Sequence, residues 1–218
     1  MARQVGIPVT TLRPALVPLV VKEDYIPMMQ GLSLRNVELT IRDKKKILYN
    51  GFGELLFTHF GISGPLVLSA SSFVGKKLGE GPLQATIDLK PALTFEQLDQ
   101  RLIREFEAAR NKQFKNALGG LFPSKLVPVI LALSEILPDK KVNEITREER
   151  QGFIRLMKSF PMTIVKTRGF GEAIITQGGI DTRSIHPSTM ETKQLRNLHV
   201  IGEVLDCLLY TTDAADDK

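Results

Sequence analysis

Three short stretches hold residue types that could do chemistry. In GFGELLFTHFGISGP (Gly51 to Pro65) four glycines and a proline surround His59. Glycines at that density let the backbone approach a neighbour or ligand closely, and an imidazole, titrating near neutrality, can donate or accept a proton. His59 is therefore the candidate catalytic group, set against the plainer role of a packing residue, which a lone histidine more often fills. In AIITQGGI (Ala173 to Ile180) an apolar run empties into Gln177, Gly178 and Gly179. Bare amides at the carboxyl edge of a sheet are where α/β proteins bind ligands; an ordinary tight turn is the alternative. In LHVIGEVLD (Leu198 to Asp206) apolar residues feed Gly202, beside which a cofactor chain could pass, and Glu203 after it offers an acceptor for hydroxyls, a short pattern that is common in itself. No second histidine or cysteine lies at ligand spacing from His59, so no metal site is expected. The patterns G-x-G-x-x-G, G-x-x-x-x-G-K-[ST] and G-x-S-x-G do not occur, which leaves no self-sufficient pyrophosphate loop or nucleophile elbow.

The elements that would position these residues change character along the chain. Ile7 to Val21 is apolar and carries Pro8, Pro14 and Pro18, which predicts extended segments and a connection rather than a helix. Gly31 to Ile41 alternates with period two and needs one slip near Asn36, the mark of a bulged strand. Asp43 to Lys46 forms the next hairpin tip, Ile47 to Tyr49 starts a return strand, and Leu55 to Phe60 and Leu83 to Leu89 are further strands. Ser63-Gly64-Pro65 opens a helix. Thr94 with Gln97 and Thr146 with Glu149 have capping-box spacing. They predict one helix running from Thr94 to about Gly119 and another ending near Ser159, with a third over Lys125 to Leu133 between them. Thr163 to Thr167, Glu172 to Thr176 and Leu198 to Ile201 return to strand.

At 218 residues and 43% hydrophobic the chain can bury a substantial core. The formal charge is +5, but 29 Lys and Arg are interleaved with 24 Asp and Glu, which reads as a mixed solvated surface. A non-catalytic basic module for an anionic partner such as RNA is the rival reading. It would use Lys44 to Lys46, Lys76, Lys77, Lys140 and Lys141. With no Trp and 3 Tyr, aromatic interleaving is missing from those clusters, so no nucleic-acid partner is expected. One cysteine, Cys207, excludes an internal disulfide, and no apolar run suits a membrane helix, so the expectation is cytoplasmic with no membrane partner.

In order along the chain, TLRPALVPL (Thr11 to Leu19), GLSLRNV (Gly31 to Val37), GELLFTHFGISGP (Gly53 to Pro65), IDLKPAL (Ile87 to Leu93), FPMTIVKTRGFGEAIITQGGI (Phe160 to Ile180), HPSTMETK (His186 to Lys193) and LHVIGEVLD resemble the BaiN-like (YhiN-like) family of bacterial FAD-dependent, NAD(P)-linked oxidoreductases. The resemblance runs from about residue 2 to 206. It implies an α+β chain: a β-rich, barrel-like insert subdomain and a small helical subdomain, flanked by remnants of an α/β, Rossmann-like FAD-binding domain. The implied boundaries are 1–20 for a remnant and connection, 21–91 for the insert, 92–160 for the helical unit and 161–206 for the return to the FAD domain.

The resemblance further implies FAD as cofactor, NAD(P)H as electron donor and an unidentified small organic substrate. Glu203 would meet the ribityl hydroxyls, with Gly202 and Asp206 in the same flavin segment. Gln177, Gly178 and Gly179 would lie near the isoalloxazine or its linker, and His59 would face the substrate. The family's dinucleotide fingerprint would precede Met1, so this polypeptide is expected to be inactive without the remainder of a parent chain. Residues 207–218 depart from the family at one junction, resemble the translation of a sequencing adapter, and are expected to be non-native.

Overall fold

The computed structural model describes residues 2–207; the expected non-native tail lies outside them, Cys207 apart. Two extended pieces of the proline-rich segment come first, β1 (Arg13–Ala15) and β2 (Leu19–Val21). A long hairpin follows, β3 (Ser33–Asp43) and β4 (Lys46–Phe57), with its tip at Lys44, where φ is 53°. The slip expected near Asn36 is a register shift between Leu34 and Val37, with Asn36 at φ 56°. The two strands expected at 47–49 and 55–60 are one, β4, because its pairing with β3 continues through Gly51 and Gly53. It ends at Phe57, and His59 falls in the turn before β5 (Gly61–Ser63).

From Gly64, α1 (Pro65–Leu78) starts with proline in its first turn, where the missing N–H has no intrahelical partner anyway. It packs against β4 and β1. After β6 (Leu83–Asp88) the chain makes a helical unit and returns as β7 (Phe160–Thr167). Both capping boxes form, opening α2 (Phe95–Ala108) and α5 (Arg147–Lys158). The single helix expected to reach Gly119 is broken: α2 stops at Ala108, and a four-residue turn of helix, α3 (Phe114–Ala117), follows. The backbone of 112–115 instead bonds to 138–142, with Phe114 N–H donating to Lys140 and Val142 N–H to Lys112. That turn seats Phe114 edge-on against Phe106 and Phe153. Tertiary packing thus overrides helical periodicity. The fourth helix, α4 (Val127–Leu133), carries Pro128 in its first turn. Ion pairs Arg150–Asp99 (2.6 Å) and Lys158–Asp88 (2.5 Å) tie α5 to α2 and to β6.

The strands close into a six-stranded barrel in the order β2-β5-β4-β3-β6-β7, each pairing antiparallel. Closure leaves no free edge to template aggregation, and Leu39, Ile41, Leu55, Phe57, Ile62, Ile87 and Ile164 fill the interior. The fold is the expected α+β combination of barrel and helices. Its barrel nevertheless reaches past the boundaries at 20 and 160: closure requires β2 to pair with β7, Leu19 opposite Thr167.

A second, small core lies outside the barrel, made of Ile7, Ile180, Ile185, Val200 and Leu205. β8 (Ile175–Gln177) pairs with β1 in a two-stranded ribbon that leads into it. The strand expected over Leu198 to Ile201 does not form; this segment holds only an isolated bridge, Glu191 to His199. The Val200 N–H donates to the Met190 carbonyl and the Leu198 carbonyl accepts from the Thr192 N–H, so the segment's bonds go to a loop rather than a ladder.

Candidate functional site

Two of the three chemistry-bearing stretches meet at this small lobe. Ile180 bridges Val9 on one side and, in parallel, Leu205 on the other. The glycine pair makes that approach possible. A Cβ on Gly179 would lie 2.5 Å from the Val204 carbonyl oxygen, and one on Gly178, whose φ is 95°, would strike the Thr11 carbonyl. The close neighbour of these glycines is therefore the chain itself. Thr10 fastens the contact: its N–H donates to the Gly179 carbonyl at 2.8 Å, and its Oγ1 accepts from the Gly179 N–H at 3.0 Å. No spacing signal marked Thr10, which lies in the proline-rich segment.

Beside this joint opens a cleft of about 720 Å3. Val5, Ile7, Val9, Ile180, Leu198 and Val200 line it, together with Gly178, Gly179 and Glu203 among others. Gly202, at φ 78°, differs from the glycine pair, since nothing lies within 4 Å of where its Cβ would be. Its backbone is open to a ligand. Glu203 is exposed next to it, Val204 is 55% exposed, and Asp206 donates its N–H to the Ile180 carbonyl, with Gln177 across a narrow gap. Thus five of the expected residues, Gly178, Gly179, Gly202, Glu203 and Asp206, come together, with Gln177 at the edge.

His59 is elsewhere, on the rim of the barrel. Exposed in the β4–β5 turn, it packs edge-on against Phe60, ring centroids 4.9 Å apart. Arg168, just past β7, lays its guanidinium over the same Phe60 ring at 4.3 Å and pairs with Glu172. The hydrogen bond from Arg168 holds the Glu172 carboxyl below its ordinary range. The charges of Arg168 and His59 add to this, against a partial rise from desolvation. Phe170 lies between them in sequence and is 56% exposed. Arg168, Phe170 and Glu172 were not singled out in the sequence, although all three stand in TRGFGEAIITQGGI; Arg168 and Glu172 are 109 and 113 positions from His59 in the chain but near it in space.

Among the described residues no group of three or more His, Cys, Asp or Glu is placed to hold a metal ion. None of their helices is long and apolar enough to cross a membrane.

A model of the "HI0933-like protein barrel and H2TH domain" family matches residues 13–175. Among curated proteins, the chain is 29% identical over 207 residues to the 3-dehydro-bile acid delta(4,6)-reductase of Clostridium scindens, covering 94% of this chain and 50% of the relative. It is 31% identical over 208 residues to the ribosomal RNA dihydrouridine synthase of Haemophilus influenzae, covering 94% and 48%. The Escherichia coli protein of that name is 31% identical over 206 residues, covering 94% and 49%. The chain spans about half the length of these curated relatives. It belongs to the HI0933-like family, whose barrel and helical domain is the barrel and helical unit described above.

Proposed function

From that membership, we propose that this chain is the barrel, helical and ring-holding portion of a flavin-dependent oxidoreductase that reduces a carbon–carbon double bond conjugated to a carbonyl. The names of the relatives support the reaction class, since a delta(4,6)-reductase of a 3-oxo steroid and a synthase that makes dihydrouridine both add two hydrogens across such a bond. Bound FAD would supply the hydride chemistry, recharged by NAD(P)H, while protein residues supply position and electrostatics.

The single observation that carries the reading is an apolar cleft with the exposed acceptor Glu203 in its lining, next in sequence to Gly202, whose Cβ position is open space. This lining fits the ring and ribityl end of a flavin: aliphatic walls for the ring, and Glu203 as a carboxylate acceptor for the ribityl hydroxyls, with Asp206 at the narrow gap nearby. It does not fit the pyrophosphate, because no α-helix starts among the lining residues and the Gly179 N–H is already taken by Thr10. In this reading Gly178 and Gly179 act indirectly, by letting residues 10–12 and 204–206 close on the 178–180 segment from either side and so fixing where Glu203 stands. His59 on the rim is the proposed substrate-facing proton donor, with Arg168 and Glu172 ordering its surroundings.

The test is a flavin-fluorescence titration of the purified chain with riboflavin and, separately, FAD. Both should bind weakly and about equally, and Gly202→Val and Glu203→Gln should each weaken both ligands. FAD binding far more tightly than riboflavin would mean that a pyrophosphate site exists on this chain, and indifference to both substitutions would remove the cleft from the flavin reading.

A second substrate reading has a specific observation behind it. Two relatives are named for ribosomal RNA, and the rim around Phe60 combines cationic and aromatic side chains. On that reading the double bond belongs to a uracil ring in RNA rather than to a free organic molecule.

A further inference from the structure

We infer that the barrel rim formed by His59, Phe60, Lys166 and Arg168, together with the exposed Phe170 two residues past Arg168, is a stacking platform for single-stranded RNA. The inference rests on the uridine reading above and assigns residues to it.

The three strands under the platform are neighbours in the barrel, β5-β2-β7. Val20 of β2 stands opposite Gly61 of β5 and opposite Lys166 of β7, and Val21 donates its N–H to the Phe60 carbonyl. Lys166 and Arg168 are two residues apart in an extended stretch, so they share a face. Both are exposed, and Lys166 has no ion pair among the described residues. Arg168 is stacked on Phe60 with its edge held by Glu172 at 2.7 Å. A planar guanidinium held flat in this way keeps its opposite face for a base. Phe170, one residue beyond Gly169, offers a second aromatic surface, and His59 adds a ring that can hydrogen-bond as well as stack.

Unpaired bases are recognised by stacking on aromatic and guanidinium planes, with nearby cations tracking the phosphates. A folded duplex could not present its bases to such a surface, so the occupant is single-stranded. The one carboxylate in the cluster, Glu172, is already neutralised by Arg168. The lysine clusters at 44–46, 76–77 and 140–141 lack aromatic neighbours in sequence; here the interleaving is made by chain crossing, Phe60 from one motif and Arg168 and Phe170 from another.

The experiment is fluorescence anisotropy of the 218-residue chain, without flavin, against a fluorescein-labelled oligouridylate of about twelve nucleotides, with salt stepped upward. The chain should bind at low salt. Phe170→Ala should weaken binding about tenfold, within the range for loss of one stacked base, and Phe170→Leu should weaken it nearly as much because area without an aromatic face does not stack. Lys166→Gln should lower the slope of log K against log salt by about 0.7, one phosphate contact on a single strand. Lys45→Gln, on the distant β3–β4 hairpin, should leave both quantities unchanged. Phe170 and Lys166 are exposed, so unaltered thermal unfolding would show that the variants fold. No binding by the parent chain, full binding by Phe170→Ala, or an equal loss from Lys45→Gln would each overturn the platform. Because flavin is left out, such a failure would leave the riboflavin titration, and the flavin reading, standing.

Discussion

In the barrel each strand has a paired neighbour on both sides, and the helical unit extends the same buried core through Leu98, Leu102, Phe114 and Phe153. The lobe around Ile180 has five buried hydrophobic residues, isolated bridges in place of ladders, and short 3-10 turns at Thr182–Ser184 and Gly202–Val204. The first region closes its hydrogen bonds on itself. The second depends on two glycines, one threonine and a ribbon strand that connects it to the barrel. The candidate cofactor residues sit in the second. Regions with few buried apolar contacts open locally at low cost, so ligand binding there has more to order, and its mark is slowed local opening.

The largest expected effect comes from cutting the barrel core. Phe57 is fully buried inside it, and Phe57→Ala should cost about 3–5 kcal/mol, read as a fall in the urea midpoint of the whole chain. A smaller effect should separate the two regions. Gly179→Ala places a Cβ against the Val204 carbonyl, and overpacking of this kind costs about 1–3 kcal/mol. Native-state hydrogen exchange should show the cost only in amides near 178–181 and 200–206, with β3 and β4 unchanged. If Gly179→Ala lowers barrel protection equally, the two regions are one cooperative unit and the contrast fails.

The smallest effect concerns pH. Burial, and secondarily the charge of Glu23, push the Tyr25 phenol up to about 12, while its O–H donates to the Pro161 carbonyl at 2.6 Å. The unfolded phenol loses its proton first, near the ordinary value of 10.0. The stability it contributes is therefore complete below that pH and lost as pH rises toward the folded value. Tyr25→Phe should flatten the alkaline fall in stability of the barrel, followed by circular dichroism from neutral pH upward.

Local rules carried much of the barrel and helical unit. Period-two alternation marked β3 and its slip at Asn36, and two capping boxes marked α2 and α5, because these features are set by neighbouring residues. The break after Ala108 was invisible, since it depends on 112–115 bonding to residues more than twenty positions later. Strand closure between β2 and β7 was equally hidden, a pairing across about 145 residues that pushed the barrel past its expected limits. At the cleft, the glycines were legible as a place of close approach, but their neighbour is the Thr10 segment and not open space. His59 was legible as a chemical group; Arg168, Phe170 and Glu172 around it were not, because a tertiary cluster leaves no spacing in the sequence.

The central claim is that the locally weak lobe is where this chain meets a flavin. Hydrogen exchange of the chain with and without saturating riboflavin tests it most directly. Slowed exchange is expected only in amides of residues 178–181 and 202–206, with the barrel strands unaffected. Protection appearing in the barrel or helical unit instead, with the lobe unchanged, would contradict it.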